Sequence, residues 1–212
     1  MTSHDVVQHV RRIYGERSIG HLGTLDPFAT GLLVLLLGRA TRLATFLDTE
    51  PKVYEATITF GGETDTDDET GSVIRTAPPP GESDVRSALK ALTGRISQVP
   101  PAYSAKSVEG TRAYDAARRG SPLDLRPVDV TVHSWDVREL RGDRLSAVVI
   151  CSGGTYVRAL ARDLGRFTSS AAHLSSLRRT RVGTFDVRDA ATLDSLSDNP
   201  ARVRALRVVA DA

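Results

Sequence analysis

Cysteine is nearly absent from this 212-residue chain, and long apolar runs are missing from it. The single cysteine, Cys151, excludes an internal disulfide and any metal site made of several cysteines. No stretch reaches the roughly 18 to 20 apolar residues that a membrane-spanning helix requires. Charged residues stand too close to the start of the sequence for a secretory signal segment. These absences favour a soluble protein of the cytoplasm.

Motifs of several common enzyme classes are lacking as well. The chain contains neither the glycine-rich fingerprint of dinucleotide-binding proteins nor the phosphate-binding loop of P-loop NTPases. It also lacks the Gly-x-Ser-x-Gly turn that carries the nucleophile of many hydrolases. Its five histidines do not show the spacing of metal ligands. The sequence therefore gives no indication of a metal centre or a nucleotide cofactor.

Acidic and basic residues are unevenly distributed, although the net charge is only +2. Residues 1–100 carry a net charge of −3 and residues 101–212 carry +5, and 17 of the 18 basic residues in the second segment are arginine. Arginine is suited to forked contacts with phosphate, so this asymmetry is one indication of a nucleic-acid partner. The alternative is a solvated arginine-rich surface that binds nothing.

Hydrophobic periodicity predicts strands and helices in irregular order, which is typical of an α+β fold in one domain, residues 1–212. A capping box at Thr2 and Asp5 predicts a helix that ends at Gly15, and residues 53–60 alternate like a half-buried strand. The other predicted elements are a helix from Ser83 or Asp84 to Gly94, a short helix at 111–119, strands from Val128 and at 145–151, a helix after 152–155, a strand near 182–187 and a last helix from about Ala201. The acidic segment 63–71 is interpreted as a polar turn.

The most apolar part of the chain follows a single acidic residue. Residues 20–42 begin with two glycines around His21, pass through Asp26 and Pro27, and continue into an apolar run at 32–37. A loop attached so firmly to a core holds one carboxylate in a defined place, which makes Asp26 a candidate for chemistry. The alternative is that Asp26 caps a helix, because proline is common in the first turn after such a cap.

Seven short motifs occur in order along almost the whole chain. They are 20–33 (Gly-His-Leu-Gly-Thr-Leu-Asp-Pro-Phe-Ala-Thr-Gly-Leu-Leu), 52–56 (Lys-Val-Tyr-Glu-Ala), 64–67 (Thr-Asp-Thr-Asp), 100–106 (Pro-Pro-Ala-Tyr-Ser-Ala-Lys), 112–120 (Arg-Ala-Tyr-Asp-Ala-Ala-Arg-Arg-Gly), 151–158 (Cys-Ser-Gly-Gly-Thr-Tyr-Val-Arg) and 177–179 (Leu-Arg-Arg). With these motifs the chain resembles the TruB family of tRNA pseudouridine synthases, and Asp26 matches the catalytic aspartate of that family.

The resemblance implies an isomerase that converts uridine 55 in the T loop of tRNA to pseudouridine. Such an enzyme breaks the N1–C1′ bond, rotates the base in place and rejoins it through C5, without a metal or organic cofactor. Asp26 would be the obligatory nucleophile or base, Arg158 its ion-pair partner, and Tyr54 the tyrosine that stacks on the target base. Whether Asp26 attacks C1′, attacks the ring or deprotonates the ribose stays open. The implied fold is a mixed, mainly antiparallel sheet flanked by helices and loops, with the active-site cleft across the sheet.

The resemblance also implies which residues bind the RNA. Tyr156 and Leu177 match positions that contact the extruded nucleotide, and His21 matches a residue implicated in extracting the base. The further substrate-binding candidates are Tyr103, Lys106, Arg178 and Arg179. More ordinary roles are the alternatives for three of these assignments: a core tyrosine at position 54, a surface arginine at 158 and a locally hydrogen-bonded histidine at 21.

The chain also departs from the family pattern. Compared with that pattern, we expect that the sequence begins just after the strand and the Lys-Pro-x-Gly segment with which the family normally starts, and that it ends before the PUA-type RNA-binding domain of most bacterial members. Leu22 stands where the family usually has threonine. We expect a monomer that binds the T stem-loop of tRNA. A tRNA-binding or tRNA-folding protein without essential catalysis is the alternative function.

Overall fold

The computed structural model describes residues 1–108 and 110–198. The strands are β1 Ile19–His21, β2 Thr30–Gly31, β3 Leu35–Leu37, β4 Lys52–Phe60, β5 Gly62–Thr64, β6 Val73–Thr76, β7 Gly94–Gln98, β8 Ser107–Val108, β9 Thr111–Arg112, β10 Val128–Arg141, β11 Arg144–Cys151, β12 Ala172–Val182 and β13 Phe185–Asp186. The helices are α1 Ser3–Tyr14, α2 Glu82–Ala91, α3 Ala113–Arg118, α4 Val157–Phe167 and α5 Leu193–Asp198, with 3₁₀ helices at Gly38–Leu43 and Val187–Asp189.

A central sheet organises the part of the chain that the structure describes. Its strand order is β13-β12-β4-β11-β10-β7, and every neighbouring pair on this path is antiparallel. The short strand β2 adds to β12 in parallel orientation. The sheet is therefore mixed but mainly antiparallel, and the predicted α+β fold class is confirmed.

The core lies on one face of the sheet, under α2 and α4. The alternation of β4 buries Tyr54, Ala56, Ile58 and Phe60 while Glu55 is exposed on the opposite face, as the sequence predicts. The central strand β11 and the two helices complete the core with the buried residues Leu145, Ala147, Val149, Val85, Ala88, Leu89, Val157, Leu160, Ala161 and Leu164. Burial of these apolar side chains is the main driving force for this arrangement.

Helix α1 has the predicted ends and a contact that matters for the site. Thr2 and Asp5 form the capping box, and Gly15 terminates the helix in the left-handed conformation at φ 60°. The buried Ser3 hydroxyl accepts a hydrogen bond from the Leu25 N–H at 2.9 Å and donates one to the Leu25 carbonyl at 3.1 Å. The first turn of α1 thus fixes the residue immediately before Asp26.

Several predicted boundaries are wrong. Helix α2 begins at Glu82 with Gly81 as its N-cap, so neither Ser83 nor Asp84 caps it. The predicted helix at 111–119 is a short strand, β9, followed by α3. No single strand covers 182–187: β12 ends at Val182, and only the two-residue strand β13 lies within this range. The helix expected from about Ala201 lies outside the described residues, and none of the described helices is long and apolar enough to span a membrane.

Replacing Gly165 with Ala tests how tightly α4 packs on the start of β12. A Cβ at position 165 would lie 2.5 Å from the Ala172 nitrogen and 2.9 Å from the Ala171 carbonyl carbon. We expect this overpacking to lower the free energy of unfolding by about 1 to 3 kcal/mol, measured by urea denaturation. Gly62→Ala is the control, because its Cβ would meet nothing closer than 3.8 Å. A Gly165→Ala protein as stable as wild type would contradict the packing described here.

Candidate active site

Asp26 lies in a tight turn between β1 and β2. The Ala29 N–H donates to the Asp26 carbonyl at 3.0 Å, which closes a single turn that does not continue into a helix. The alternative role of Asp26 as a helix cap is therefore wrong. The carboxylate is free to point toward α4, and its side chain remains 30% exposed.

Arg158, in the first turn of α4, holds both oxygens of the Asp26 carboxylate. Its Nε donates to Oδ2 and its Nη2 donates to Oδ1, each at 2.9 Å, in the bidentate geometry that gives guanidinium–carboxylate pairs their strength and orientation. Arg158 is only 5% exposed, so its alternative interpretation as a surface arginine is wrong. The predicted ion pair between Asp26 and Arg158 is confirmed.

The remaining donors of Arg158 are occupied by two other segments of the chain. Nη1 donates to the Thr66 carbonyl at 2.9 Å and lies 3.6 Å from Asp68 Oδ2, while Nη2 also donates to the Tyr103 carbonyl at 3.0 Å. A guanidinium with its donors occupied in this way has little freedom to rotate. The direction in which it presents Asp26 is consequently fixed by the fold.

Arg158 is the first of three arginines spaced four residues apart along α4. Arg162 donates to Asp67 at 2.9 Å and to the Val99 carbonyl at 2.8 Å, and Arg166 donates to Glu63 at 2.6 Å. Residues four apart lie on one face of a helix, so the three guanidinium groups reach the same partner segment. We call Arg158, Arg162 and Arg166 the arginine row.

The partner of the arginine row is the segment 63–71, for which the sequence predicts a polar turn. That interpretation is incomplete, because Glu63, Thr64, Asp67 and Asp68 are buried. Burial raises the pKa of Asp67 to about 6, against the opposing effect of Arg162. The sequence did contain a signal for this contact, namely arginines at i, i+4 and i+8 along α4.

Tyr54 lies on the buried face of β4, with 7% of its surface exposed. Burial raises the pKa of its hydroxyl to about 12; the positive charge of Arg179 opposes this rise and the negative charge of Asp26 adds to it. Tyr54 is therefore a core residue that also lies close enough to Asp26 to sense its charge. Its interpretation as a core tyrosine is confirmed, and its role in stacking on the target base stays a prediction.

Three further candidates are partly or fully buried. His21 ends β1, and burial, together with the charge of Arg179, lowers its pKa; its Nδ1 is buried and has no hydrogen-bond partner among the described residues. Tyr156 precedes α4, where its N–H donates to the Gln98 side chain at 2.9 Å, and burial raises the pKa of its hydroxyl. Leu177 is buried in the main core.

The other candidates lie farther out or have a different role. Tyr103 contributes its carbonyl to Arg158, and its ring packs edge-on against Tyr114 with centroids 6.0 Å apart. Lys106 and Arg178 are exposed. Arg179 is 1% exposed and donates to three backbone carbonyls, so its predicted role in contacting phosphate is wrong.

Solved structures share this fold. The chain aligns with the crystal structure of a Cbf5–Nop10–Gar1 complex with a TM-score of 0.71 and 29% sequence identity, over 93% of this chain and 50% of that one. It aligns with the structure of an H/ACA RNP bound to a substrate RNA containing 2′-deoxyuridine with a TM-score of 0.68 and 28% identity, over 93% and 49% of the two chains. The chain thus spans about half the length of these two structures. The shared fold is the pseudouridine synthase fold.

Sequence relatives define the family. Residues 11–157 match the N-terminal domain of the TruB family of pseudouridylate synthases, and residues 158–208 match the C-terminal domain of tRNA pseudouridylate synthase B. The tRNA pseudouridine synthase B of Thermobifida fusca is 49% identical over 92% of this chain and 70% of its own length, and that of Nocardia farcinica is 50% identical over 94% and 67%. This chain belongs to the TruB family.

Replacing Tyr54 with Phe should reduce the sensitivity of the fold to alkaline pH. The folded state retains the Tyr54 proton up to about pH 12, whereas an unfolded tyrosine releases it near pH 10.0, so the stability that this group provides below pH 10.0 is lost as the pH rises toward 12. Two pKa units correspond to about 2 to 3 kcal/mol. Urea unfolding measured below pH 10 and close to pH 12 gives the free energy of unfolding at both pH values. We expect it to fall less between them in Tyr54→Phe than in wild type.

The exposed Tyr114 supplies the control for this experiment. Tyr114→Phe removes a hydroxyl from a residue that is 38% exposed and should follow wild type at both pH values. If Tyr54→Phe loses as much stability as wild type over this range, the Tyr54 hydroxyl does not occupy the buried site described here.

Proposed function

We propose that this chain is the catalytic domain of a cytoplasmic, monomeric enzyme that isomerises uridine 55 in the T loop of tRNA to pseudouridine. The observation that carries the proposal is the Asp26 carboxylate, held at both oxygens by a buried arginine and still 30% exposed. Membership in the TruB family supplies the reaction class. The fixed and accessible carboxylate supplies the group that the reaction needs.

The chemistry exchanges one bond of the base for another. The N1–C1′ bond breaks, the base rotates in place, and a C5–C1′ bond forms; C5 then loses its proton, and N1 ends with a hydrogen. Asp26 acts as the nucleophile or base that starts this sequence. The ion pair with Arg158 holds the carboxylate in one orientation, which either role requires.

Tyr54 supports the same reaction from the floor of the site. Its phenol keeps its proton far above neutral pH, because burial raises its pKa to about 12. A neutral aromatic ring at this place can stack on an extruded pyrimidine, near the C5 position. Tyr156, Leu177 and His21 then surround the flipped nucleotide, whose extraction from the loop costs a few kcal/mol.

The proposed substrate, the T stem-loop of tRNA, is large enough to cover Asp26. The Asp26 side chain is 30% exposed. This accessibility suits a macromolecular substrate whose extruded base covers the carboxylate. Phosphates of the T stem-loop would contact the exposed Lys106 and Arg178, with Tyr103 nearby.

Asp26→Asn tests the proposal, because it keeps the size of the side chain and removes its charge. We expect release of tritium from a T-arm stem-loop labelled at uridine C5 to fall by at least about a thousandfold, since the reaction loses its only nucleophile or base. RNA binding should stay within a few-fold of wild type. Asp84→Asn, in the exposed first turn of α2, is the matched control and should react normally.

The same assay separates the two candidate functions. Wild-type protein that binds the stem-loop but releases no tritium would be a tRNA-binding or tRNA-folding protein and would contradict the proposed isomerisation. Near-normal release by Asp26→Asn would keep the isomerisation but contradict the assignment of Asp26.

A further inference from the structure

Arg179 is a buried cation without an acidic partner. It is 1% exposed, and no carboxylate among the described residues lies within ion-pair distance of it. Its Nε donates to the Leu32 carbonyl at 2.9 Å, and Nη1 and Nη2 donate to the Thr24 and Gly23 carbonyls at 3.1 Å each. Moving a charge out of water without an opposite charge beside it costs free energy of folding. A buried arginine of this kind therefore suggests a role other than stabilising the fold.

The three carbonyls belong to the loop that carries Asp26. Gly23 and Thr24 precede the aspartate, and Leu32 follows it, so that one guanidinium joins both sides of the turn. Serine, lysine or a shorter side chain could not reach all of these acceptors, because only the guanidinium presents several donors in a rigid plane.

The backbone of Arg179 holds the same loop a second time. The Leu32 N–H donates to the Arg179 carbonyl at 2.8 Å, and Gly31 pairs with Arg179 in the parallel register of β2 and β12. Gly31 has a φ of 101°, and a Cβ there would collide with the Arg179 carbonyl oxygen. The close approach of loop and strand therefore requires glycine at position 31.

Arg179 also stands directly opposite Tyr54. The two residues are antiparallel partners in the pairing of β12 with β4, so both side chains point to the buried face of the sheet. A single residue thus connects the strand that carries the tyrosine to the loop that carries the aspartate. We propose that Arg179 is a positioning residue that sets the place of Asp26 relative to Tyr54 and the bound uridine.

The reaction makes such positioning valuable. Reacting atoms must approach to about 3 to 3.5 Å, and a misplacement of about 1 Å can reduce a rate about a hundredfold. Arg158 fixes the direction of the carboxylate, and Ser3 fixes Leu25, but neither holds the loop main chain on both sides of Asp26. Arg179 fills that role without touching the substrate.

Arg179→Lys keeps the positive charge and removes the fork, and it is the variant that tests the proposal. The inference rests on the proposed isomerisation, so the readout is the single-turnover rate of tritium release, with folded enzyme in excess over a saturated T-arm stem-loop. We expect this rate constant to fall at least tenfold. The Kd for RNA should stay within about threefold of wild type, and its dependence on salt should be unchanged, because no phosphate contact is lost.

Arg95→Lys is the matched control, since Arg95 is exposed at the sheet edge and pairs only with the exposed Asp129. It should leave both the rate and the Kd unchanged. A purely structural role for Arg179 would reduce the amount of folded enzyme but would not change the rate constant at saturation. If Arg179→Lys does not fold, Gly31→Ala disturbs the backbone contact between the same loop and Arg179 and should give the same split between rate and affinity.

Three results would overturn the inference. A normal rate in Arg179→Lys would show that the loop does not depend on the fork. A weaker Kd with a flatter salt dependence and a normal rate would return Arg179 to the phosphate contacts. A normal rate in Gly31→Ala would show that the position of the loop does not depend on its backbone contact with Arg179. Absence of tritium release by wild type would refute the proposed function instead.

Discussion

The bidentate contact between Arg158 and Asp26 is the interaction on which the rest of the site depends. It joins residues 132 positions apart in the sequence, and it joins a loop to the first turn of a helix. Everything that fixes Arg158 therefore also fixes the carboxylate. The packing of α4 against the sheet, the Thr66 and Tyr103 carbonyls and the nearby Asp68 all act on Asp26 through one guanidinium.

Buried ion pairs of this kind are poor sources of stability. Removing two charges from water costs several kcal/mol per ion, and the mutual attraction offsets that cost only when the geometry is good and the remaining donors are satisfied. The arginine row meets this condition by pairing with the buried acids of segment 63–71 and with backbone carbonyls. What it provides is a unique orientation of α4 relative to that segment, and hence a unique place for Arg158.

The structural features that the sequence predicted correctly are those that depend on neighbouring residues in the chain. The alternation in β4 and the capping box of α1 are local signals, and the structure follows both. Strand β12 shows why other features could not be predicted. Two irregularities, between Leu174 and Ser176 and between Arg179 and Arg181, shift its pairing with β4, so that residues 172, 174, 177, 179 and 182 are buried instead of every second residue. The run of basic residues therefore suggested a surface, whereas the first shift turns Arg179 inward and leaves Arg178 outside.

The residues of the candidate site also fall into a group that the sequence identified and a group that it did not. Family motifs led to Asp26, Tyr54 and Arg158. The spacing of the arginines along α4 places them on one face of the helix, but it did not show that Arg162, Asp67 and Asp68 are buried, because burial of a charge depends on a partner far away in the sequence. The assignment of roles to these residues remains a prediction.

The most direct test of the account is the single-turnover rate of Arg158→Lys on a saturated T-arm stem-loop. Lysine keeps a positive charge beside Asp26 but cannot hold both carboxylate oxygens. We expect the rate of pseudouridine formation to fall at least about a hundredfold while RNA affinity stays close to that of wild type. A rate within a few-fold of wild type would show that the carboxylate does not need the guanidinium fork. It would contradict the conclusion that the site depends on the bidentate contact between Arg158 and Asp26.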